Sequence, residues 1–405
     1  MIFKIKLHWQ ILIALVAAVA FGYFLPDLVQ YISWMGVVFL RALNMVVVPL
    51  IFSSIISGVA SIGGGSNLGR LGLKTISFYI GTSFIAILTG LFFVNLFQPG
   101  VGANLGAAGD VQSLPQTSNS VSDILMRIIP DNVFDAMSKG QILPVIFFAI
   151  LFGFFITQIQ TEKQQLLTRF FDSAFEVMMK ITTFVILFTP LGIFAIVSKE
   201  VAKNAGSLSN IAGSLGIYMI TVLIALIVHG AVILPLLVRF LGKASPLKHF
   251  RNMSTPLLTA FSTSSSNAAL PLSMVAVEEK DGVSGKITSF TLPLGATVNM
   301  NGTALYECVA VIFIAQAYGI DLTMGQQAIV VLTALLAAIG SAGIPMAGLV
   351  MMTIVLTAVN LPLEGIGLIL AVDRILDMSR TTVNVWGDTC AAVIIAKSEG
   401  ETLKV

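Results

Sequence analysis

Apolar positions along this chain gather into long unbroken runs, without the alternating or three-to-four spacing of amphipathic soluble elements. A helix needs about 20 residues to cross roughly 30 Å of hydrocarbon. Runs of that order lie at about 9–26, 42–69, 75–97, 140–161, 170–198, 211–238, 287–317 and 362–392, and they predict eight spans. Two further uncharged stretches, 252–277 and 322–361, carry breaks in their middles. The first holds Ser262, Thr263, Ser264, Ser265, Ser266 and Asn267 in a row, with Pro271 just after. The second holds Gly340, Ser341, Ala342, Gly343, Ile344 and Pro345. Irregular backbone at membrane depth is tolerated only where protein or a water-filled cavity covers it. Both stretches therefore read as re-entrant helical hairpins, at about 252–280 and 324–360, one entering from each side. Broken apolar segments at corresponding positions in two halves point to a transporter binding site. The predicted fold is an all-α polytopic membrane protein with eight transmembrane helices and two re-entrant hairpins.

Composition narrows the function. Hydrophobic residues make up 56% of the 405, charged residues 10%, and mean hydropathy is +0.95. A soluble domain carries about 25% charged residues, so a soluble enzyme is excluded, and so is a disordered chain. A net charge of +2 leaves no basic footprint for nucleic acid. Cys308 and Cys390 lie apart in apolar segments, and His8, His229 and His249 are scattered. His229 reads as a packing residue with one hydrogen bond. No zinc-binding, phosphate-loop or nucleophile-elbow motif is present. The first apolar run extends past Phe24 without a small-residue cleavage site, and it reads as a retained helix. Lys4 and Lys6, Arg70 and Lys74, Lys163 and Arg169, Arg239, Lys243, Lys248 and Arg251, and Lys397 and Lys404 fall on one side of the spans. Arg41, Arg127, Lys139, Lys199 and Lys203 fall on the other, together with segment 98–122, which has no Lys or Arg and reads as an extracellular loop. The positive-inside rule then predicts cytoplasmic N- and C-termini.

The last span carries the most chemistry. Asp373, Asp377, Arg380, Thr381, Asn384 and Asp388 recur at spacings of three and four, so they share a helix face, with Arg374 alongside. Charge at the bilayer centre costs about 2.5–3.5 kcal/mol per residue, so this face must meet protein, water, ions or substrate. Asp377 and Arg380 either neutralise each other structurally or clamp a zwitterion, carboxylate to ammonium and guanidinium to carboxylate. In the preceding span, Gly295 through Thr303 combine glycines with Thr297, Asn299 and Asn301. That stretch is either a locally unwound helix offering hard oxygen ligands to Na⁺ or a kinked helix with interhelical bonds. Glu307, two turns on, is either a proton carrier or a neutral hydrogen-bonded acid. Tyr79, Thr82 and Ser83 form a smaller polar patch.

Together these motifs resemble the dicarboxylate/amino acid:cation symporter family, that of archaeal aspartate transporters and mammalian excitatory amino acid transporters. The resemblance rests on the Ser-rich hairpin, Asn299-Met300-Asn301-Gly302-Thr303-Ala304-Leu305-Tyr306, Gly343-Ile344-Pro345, and the run from Asp377 through Arg380, Asn384 and Trp386 to Asp388. It spans essentially the whole chain and includes the stretch from Phe39 to Pro49.

What it implies is a homotrimer in the cell membrane, built on inverted repeats and working as an elevator. Scaffold helices would lie at about 9–69 and 124–198, and transport-domain parts at about 72–97 and 205–396. The implied function is symport of glutamate or aspartate coupled to Na⁺ and possibly H⁺, with C4-dicarboxylate symport as the alternative and a channel or intramembrane enzyme as a more distant one. Arg380 resembles the arginine that takes the substrate side-chain carboxylate, and Asp377 the residue that takes its amino group. Ser265, Ser266, Met300, Thr303, Ile344, Gly348, Thr381 and Asn384 match the rest of the pocket. Gly295, Asn299, Asn384 and Asp388 match one Na⁺ site. Thr297, Ala338, Ile339 and Ser341 match a second, and Tyr79, Thr82, Ser83, Asn299 and Asn301 a third. Glu307 matches the proton-carrying glutamate of the animal members. The chain departs from the family in having Asn301 where Asp is usual, and Ser264 and Met378 where sodium members place an arginine.

Overall fold

The computed structural model describes residues 7–60, 66–103, 129–139, 141–203, 208–339 and 347–405. Lys4, Lys6, Arg127, most of the 98–122 loop and the tip of the second hairpin, including Ser341 and Ile344, lie outside the described residues.

The chain runs through α1 (Leu7–Phe24), α2 (Val29–Ala60), α3 (Ser66–Phe97), α4 (Val133–Ser138), α5 (Ile142–Ile156), α6 (Thr161–Ile186) and α7 (Thr189–Lys203). It continues through α8 (Leu208–Val228), a π-helical turn (His229–Ile233), α9 (Leu234–Phe240), α10 (Pro246–Asn252), α11 (Ser254–Thr263) and α12 (Ser266–Ala276). It closes with α13 (Gly285–Val298), α14 (Asn301–Ala317), α15 (Met324–Ile339), α16 (Ala347–Ala358) and α17 (Ile366–Ser398). All regular structure among the described residues is helical. By length and composition, three stretches among them are long and apolar enough to cross a membrane: Arg70–Phe97, Ala212–Phe240 and Gly285–Ala317.

Several expected boundaries shift, each for a local reason. The run expected at 42–69 is shared by two helices: α2 starts at Val29, passes straight through Arg41, whose side chain stays exposed, and ends at Ala60, while α3 already starts at Ser66. The run at 170–198 is two helices, with Pro190 in the first turn of the second. The sixth run keeps its length but contains the π-helical turn, followed by Pro235. The seventh breaks at Asn299 and Met300, whose backbones (φ −97°, ψ 66° and φ −96°, ψ 56°) leave the helical region.

The first Ser-rich stretch forms a helix pair. Ser264 adopts a left-handed conformation (φ 52°) that stops α11, and the Ser265 hydroxyl then accepts from Ala268 N at 3.3 Å to start α12. The arms hold 10 and 11 residues, about 15–17 Å each, roughly half the hydrocarbon thickness. In the second broken stretch, α15 and α16 likewise pack on each other.

Packing falls into two sets. α1, α2, α5, α6 and α7 pack among themselves, while α3 and α8 through α17 assemble around α14 and α17. The sets meet where α15 and α16 touch α2, where α16 touches α5 and where α17 touches α1 and α7. α14 is enclosed on every side except at Gln316, which explains its unbroken apolar character from Val309 to Ala315. After α17 the chain folds back: Lys404 N donates to Asp281 O at 2.8 Å, and Glu401 accepts from Ser284 N at 2.9 Å.

Candidate functional site

The break between α13 and α14 is the centre of the site. A helix start exposes free N–H groups, and here a side chain from another helix receives them. Asn384 Oδ1 accepts from Gly302 N at 2.7 Å and from Thr303 N at 3.4 Å, and its Nδ2 donates to Thr303 Oγ1 at 3.0 Å and to Met300 Sδ at 3.2 Å. Close approach of α17 to α14 requires glycine: a β-carbon on Gly302 would stand 2.9 Å from Arg380 Cα.

The polar face of α17 is wholly withdrawn from the surface. Asp373, Asp377, Arg380, Thr381, Asn384 and Asp388 are all buried. Arg380 is among the largest fully buried side chains, at 1% exposure. Its Nε and Nη2 donate to Asp377 Oδ1 at 3.1 and 2.8 Å, and its Nη1 lies 3.6 Å from Asp373 Oδ1. Nη1 makes no hydrogen bond among the described residues. The guanidinium carbon sits 4.3 Å from the centroid of the Tyr306 ring, and the Tyr306 hydroxyl donates to Asp373 at 2.7 Å. Arg374 reaches Ser264 at the first hairpin tip (3.0 Å) and lies 3.8 Å from Asp377 Oδ2. α16 approaches the same cation, since a β-carbon on Gly348 would lie 2.7 Å from Arg380 Cζ.

A second polar cluster lies further along α17. Asn299 Nδ2 donates to Asp388 Oδ1 at 2.9 Å, and Thr82 Oγ1 approaches Asn299 Oδ1 at 3.5 Å. Ser83 donates to Asn301 Oδ1 at 2.7 Å, while Asn301 Nδ2 has no partner among the described residues. The Tyr79 hydroxyl donates to the Thr291 carbonyl at 2.8 Å. Gly295 is tight here as well, because a β-carbon would stand 2.8 Å from both Asp388 Cγ and the Tyr79 hydroxyl. Asp388, the Asn299 amide, the Thr82 and Ser83 hydroxyls and the carbonyls freed at the break form a hard-oxygen set suited to a monovalent cation. Thr297 bonds to its own helix at Leu294 O, while Ala338 is buried and Ile339 half-buried near the end of α15.

Of the residues singled out from the sequence, Tyr79, Thr82, Ser83, Asn299, Asn301, Met300, Thr303, Asp377, Arg380, Asn384 and Asp388 thus converge on one buried region. Ser265 and Ser266 stand at the first hairpin tip, with Ser265 committed to capping α12. Glu307 is fully buried, and both its carboxylate oxygens lack hydrogen-bond partners among the described residues. The hydrogen bond expected of His229 is not made: it is buried in the π-helical turn with both ring nitrogens unpartnered among the described residues. The Tyr306–Asp373 bond is not legible in the sequence, because 67 residues separate the two and no spacing rule connects different helices. His249 Nδ1 bonds to buried Asp281 Oδ2 at 2.6 Å and stacks on Trp386, for the same reason unforeseen.

Residues 7–398 match the family model of the sodium:dicarboxylate symporter family. A proton/sodium-glutamate symport protein of Geobacillus stearothermophilus is 37% identical over 98% of this chain and 96% of its own. A proton/glutamate-aspartate symporter of Escherichia coli (strain K12) is 35% identical over 98% and 93%. Excitatory amino acid transporter 3 of Mus musculus is 34% identical over 98% and 87%.

Proposed function

Since the chain belongs to the sodium:dicarboxylate symporter family, we propose that it is a multi-pass cell-membrane symporter that carries glutamate or aspartate together with Na⁺, and with H⁺. The observation that carries this reading is the buried Arg380–Asp377 pair with Arg380 Nη1 left unbonded beside Gly348. Without substrate, Asp377 satisfies two guanidinium donors. An incoming side-chain carboxylate takes the guanidinium in bidentate fashion, and Asp377 turns to the substrate ammonium. The exchange gives the guanidinium and the Asp377 carboxylate each a charged partner, which a neutral amino acid, with no side-chain carboxylate for Arg380, cannot do. Thr381, Asn384, Met300, Thr303 and the hairpin residues Ser265, Ser266, Ile344 and Gly348 complete the pocket.

Na⁺ travels as cargo in this reading. Gly295, Asn299, Asn384 and Asp388 form the first ion site, where Asp388 supplies the negative charge. Thr297, Ala338, Ile339 and Ser341 form the second, and Tyr79, Thr82, Ser83, Asn299 and Asn301 the third. Asn301 lacks the charge usual at that place, so the third site binds its ion weakly or not at all. Glu307 carries the proton.

The proposed architecture is eight transmembrane helices with two re-entrant hairpins, cytoplasmic termini, and a homotrimer held by the α1, α2, α5, α6 and α7 set. Two separately packed helix sets joined mainly through α15, α16 and α17 support an elevator-like displacement of one against the other. Uptake of labelled aspartate and glutamate into proteoliposomes under a Na⁺ gradient tests the function. Arg380→Ala is expected to abolish it, and unchanged uptake overturns the assigned role. Effective competition by succinate would favour C4-dicarboxylate transport, against which the Asp377 carboxylate argues.

A further inference from the structure

An apolar cavity of about 640 Å³ opens beside the π-helical turn, between α8, α10, α11 and α17. Ile227, Ala231, Leu247, Phe250, Phe261 and Trp386 are among its walls. Its two hydroxyl-bearing residues, Ser379 and Thr382, donate to Ile375 O and Met378 O of their own helix, so the lining offers no free hydroxyl donor. A cavity of this kind takes hydrocarbon. At its rim Ile227, Leu247, Phe250 and Phe261 are 61%, 59%, 53% and 42% exposed, which is costly in water and favourable only in contact with lipid or another apolar occupant.

Charge identifies the occupant. From residue 239 to 251 the chain carries Arg239, Lys243, Lys248 and Arg251 and no acidic residue. All four are exposed, and none pairs with a carboxylate among the described residues. Lys248 and Arg251 sit on α10, the same short helix that contributes Leu247 and Phe250 to the cavity wall. That helix is held in place. His249 stacks on Trp386 with ring centroids 4.7 Å apart and bonds to buried Asp281, and Phe250 meets Trp386 edge-on at 5.6 Å. Trp386 in turn donates to Gly230 O of the π-helical turn at 2.9 Å. Unpaired basic residues next to an apolar slot are the signature of an anionic lipid headgroup above an acyl chain.

We propose that this cavity binds one anionic phospholipid, with an acyl chain against Trp386 and the phosphate on Lys248 and Arg251. The occupant touches the helix that carries Asn384 and Asp388 without entering their cluster. The proposal does not depend on which solute is transported.

The chain has three tryptophans, Trp9, Trp34 and Trp386, so full-length protein carrying Trp9→Phe and Trp34→Phe reports on Trp386 alone. It is reconstituted into phosphatidylcholine vesicles containing a minor fraction of lipid brominated on the acyl chain. Brominated phosphatidylglycerol is expected to quench Trp386 several-fold more than brominated phosphatidylcholine at the same fraction. Lys248→Gln with Arg251→Gln should bring that ratio close to one, and Ala231→Phe, which narrows the cavity without filling it, should weaken the quenching by the anionic lipid. Equal quenching by the two headgroups in the parent protein marks ordinary annular lipid and overturns the proposal, as does an unchanged ratio in the Lys248→Gln, Arg251→Gln variant. Because Lys248 and Arg251 are exposed and make no ion pair among the described residues, their variant folds even if the cavity-narrowing one does not, and the headgroup comparison stands by itself.

Discussion

Gly348 and Arg380 meet so closely that a β-carbon on the glycine would lie 2.7 Å from the guanidinium carbon. The guanidinium cannot swing away freely, because Nε and Nη2 are both tied to Asp377. Gly348→Ala is therefore expected to displace the cation and raise the KM for aspartate at least about tenfold, a loss near 1.4 kcal/mol in binding, with little change in thermal stability. Gly302→Ala makes the instructive contrast. Its β-carbon meets the backbone of Arg380 at 2.9 Å, which cannot move alone, so that variant should lose stability first. Uptake kinetics and thermal unfolding of both variants check the distinction. An unaltered KM in Gly348→Ala rejects the close contact as functionally relevant.

Asp377 is the only carboxylate that accepts hydrogen bonds from Arg380 among the described residues, with Asp373 at ion-pair distance. Removing one member of a buried pair typically costs about 3–5 kcal/mol. Asp373 retains part of the compensation, so Asp377→Asn should fall toward the lower end of that range. Glutamate and aspartate uptake should vanish with the loss of the ammonium partner, while succinate, which has no ammonium, should bind no worse. Parallel binding measurements of aspartate and succinate decide it, and retained aspartate affinity contradicts the role given to Asp377.

The sequence showed the shared face of Asp373, Asp377, Arg380, Asn384 and Asp388 because helical spacing is local and charge in an apolar run stands out. It showed the two interrupted stretches for the same reason: serines, glycines and prolines act on the backbone next to them. It did not show that Asn384 caps α14, that Tyr306 bonds Asp373, or that His249 pairs with Asp281. Those contacts depend on the packing of distant helices, and nothing in one residue's neighbours encodes its partner 67 or 82 positions away. The continuous course of α2 through Arg41 is not legible in the apolar run, because a charge ends a hydrophobic stretch in sequence while its exposed side chain leaves the backbone undisturbed.

Glu399, just beyond α17, accepts from Lys74 at 2.6 Å and Arg70 at 2.7 Å. Those bonds hold its carboxyl below the usual carboxylate range. A lowered value in the folded protein means stabilisation that is present at neutral pH and lost as pH falls through that lowered value. Arg70 is exposed and Lys74 half-buried, so solvent screens the group and the effect is less than about 1 kcal/mol. Glu399→Gln should melt slightly below the parent protein at pH 7, and the gap should close in acid. A gap that widens on acidification refutes the assignment.

Glu307 is buried with both oxygens unbonded among the described residues, while the Arg380 site lies one helical turn away through Tyr306 and Thr303. Glutamine preserves its shape but cannot exchange a proton. Glu307→Gln should retain uptake driven by a Na⁺ gradient and lose the acceleration produced by an inwardly directed proton gradient. Persistence of that acceleration in the variant assigns the proton to another group.

Asn301 poses the sharpest question about coupling. Its Oδ1 takes the Ser83 hydroxyl, and its Nδ2 is a buried donor with no partner among the described residues. A donor facing the cluster repels a cation that the Ser83, Thr82 and Asn299 oxygens would otherwise attract. Asn301→Asp converts that donor into an acceptor and adds a negative charge with almost no change in volume. In the absence of Na⁺ the new carboxylate is buried without compensation, so the variant should be less stable than its parent. With Na⁺ bound the charge is neutralised, so stabilisation by Na⁺ should be larger in the variant, following the mass-action dependence on ion concentration. The number of Na⁺ ions moved per substrate should also rise by one. The reversal potential of substrate flux in proteoliposomes measures that number directly, because each added cation shifts it by a fixed multiple of the Na⁺ gradient. If parent and variant reverse at the same potential, Asn301 does not control a coupling site.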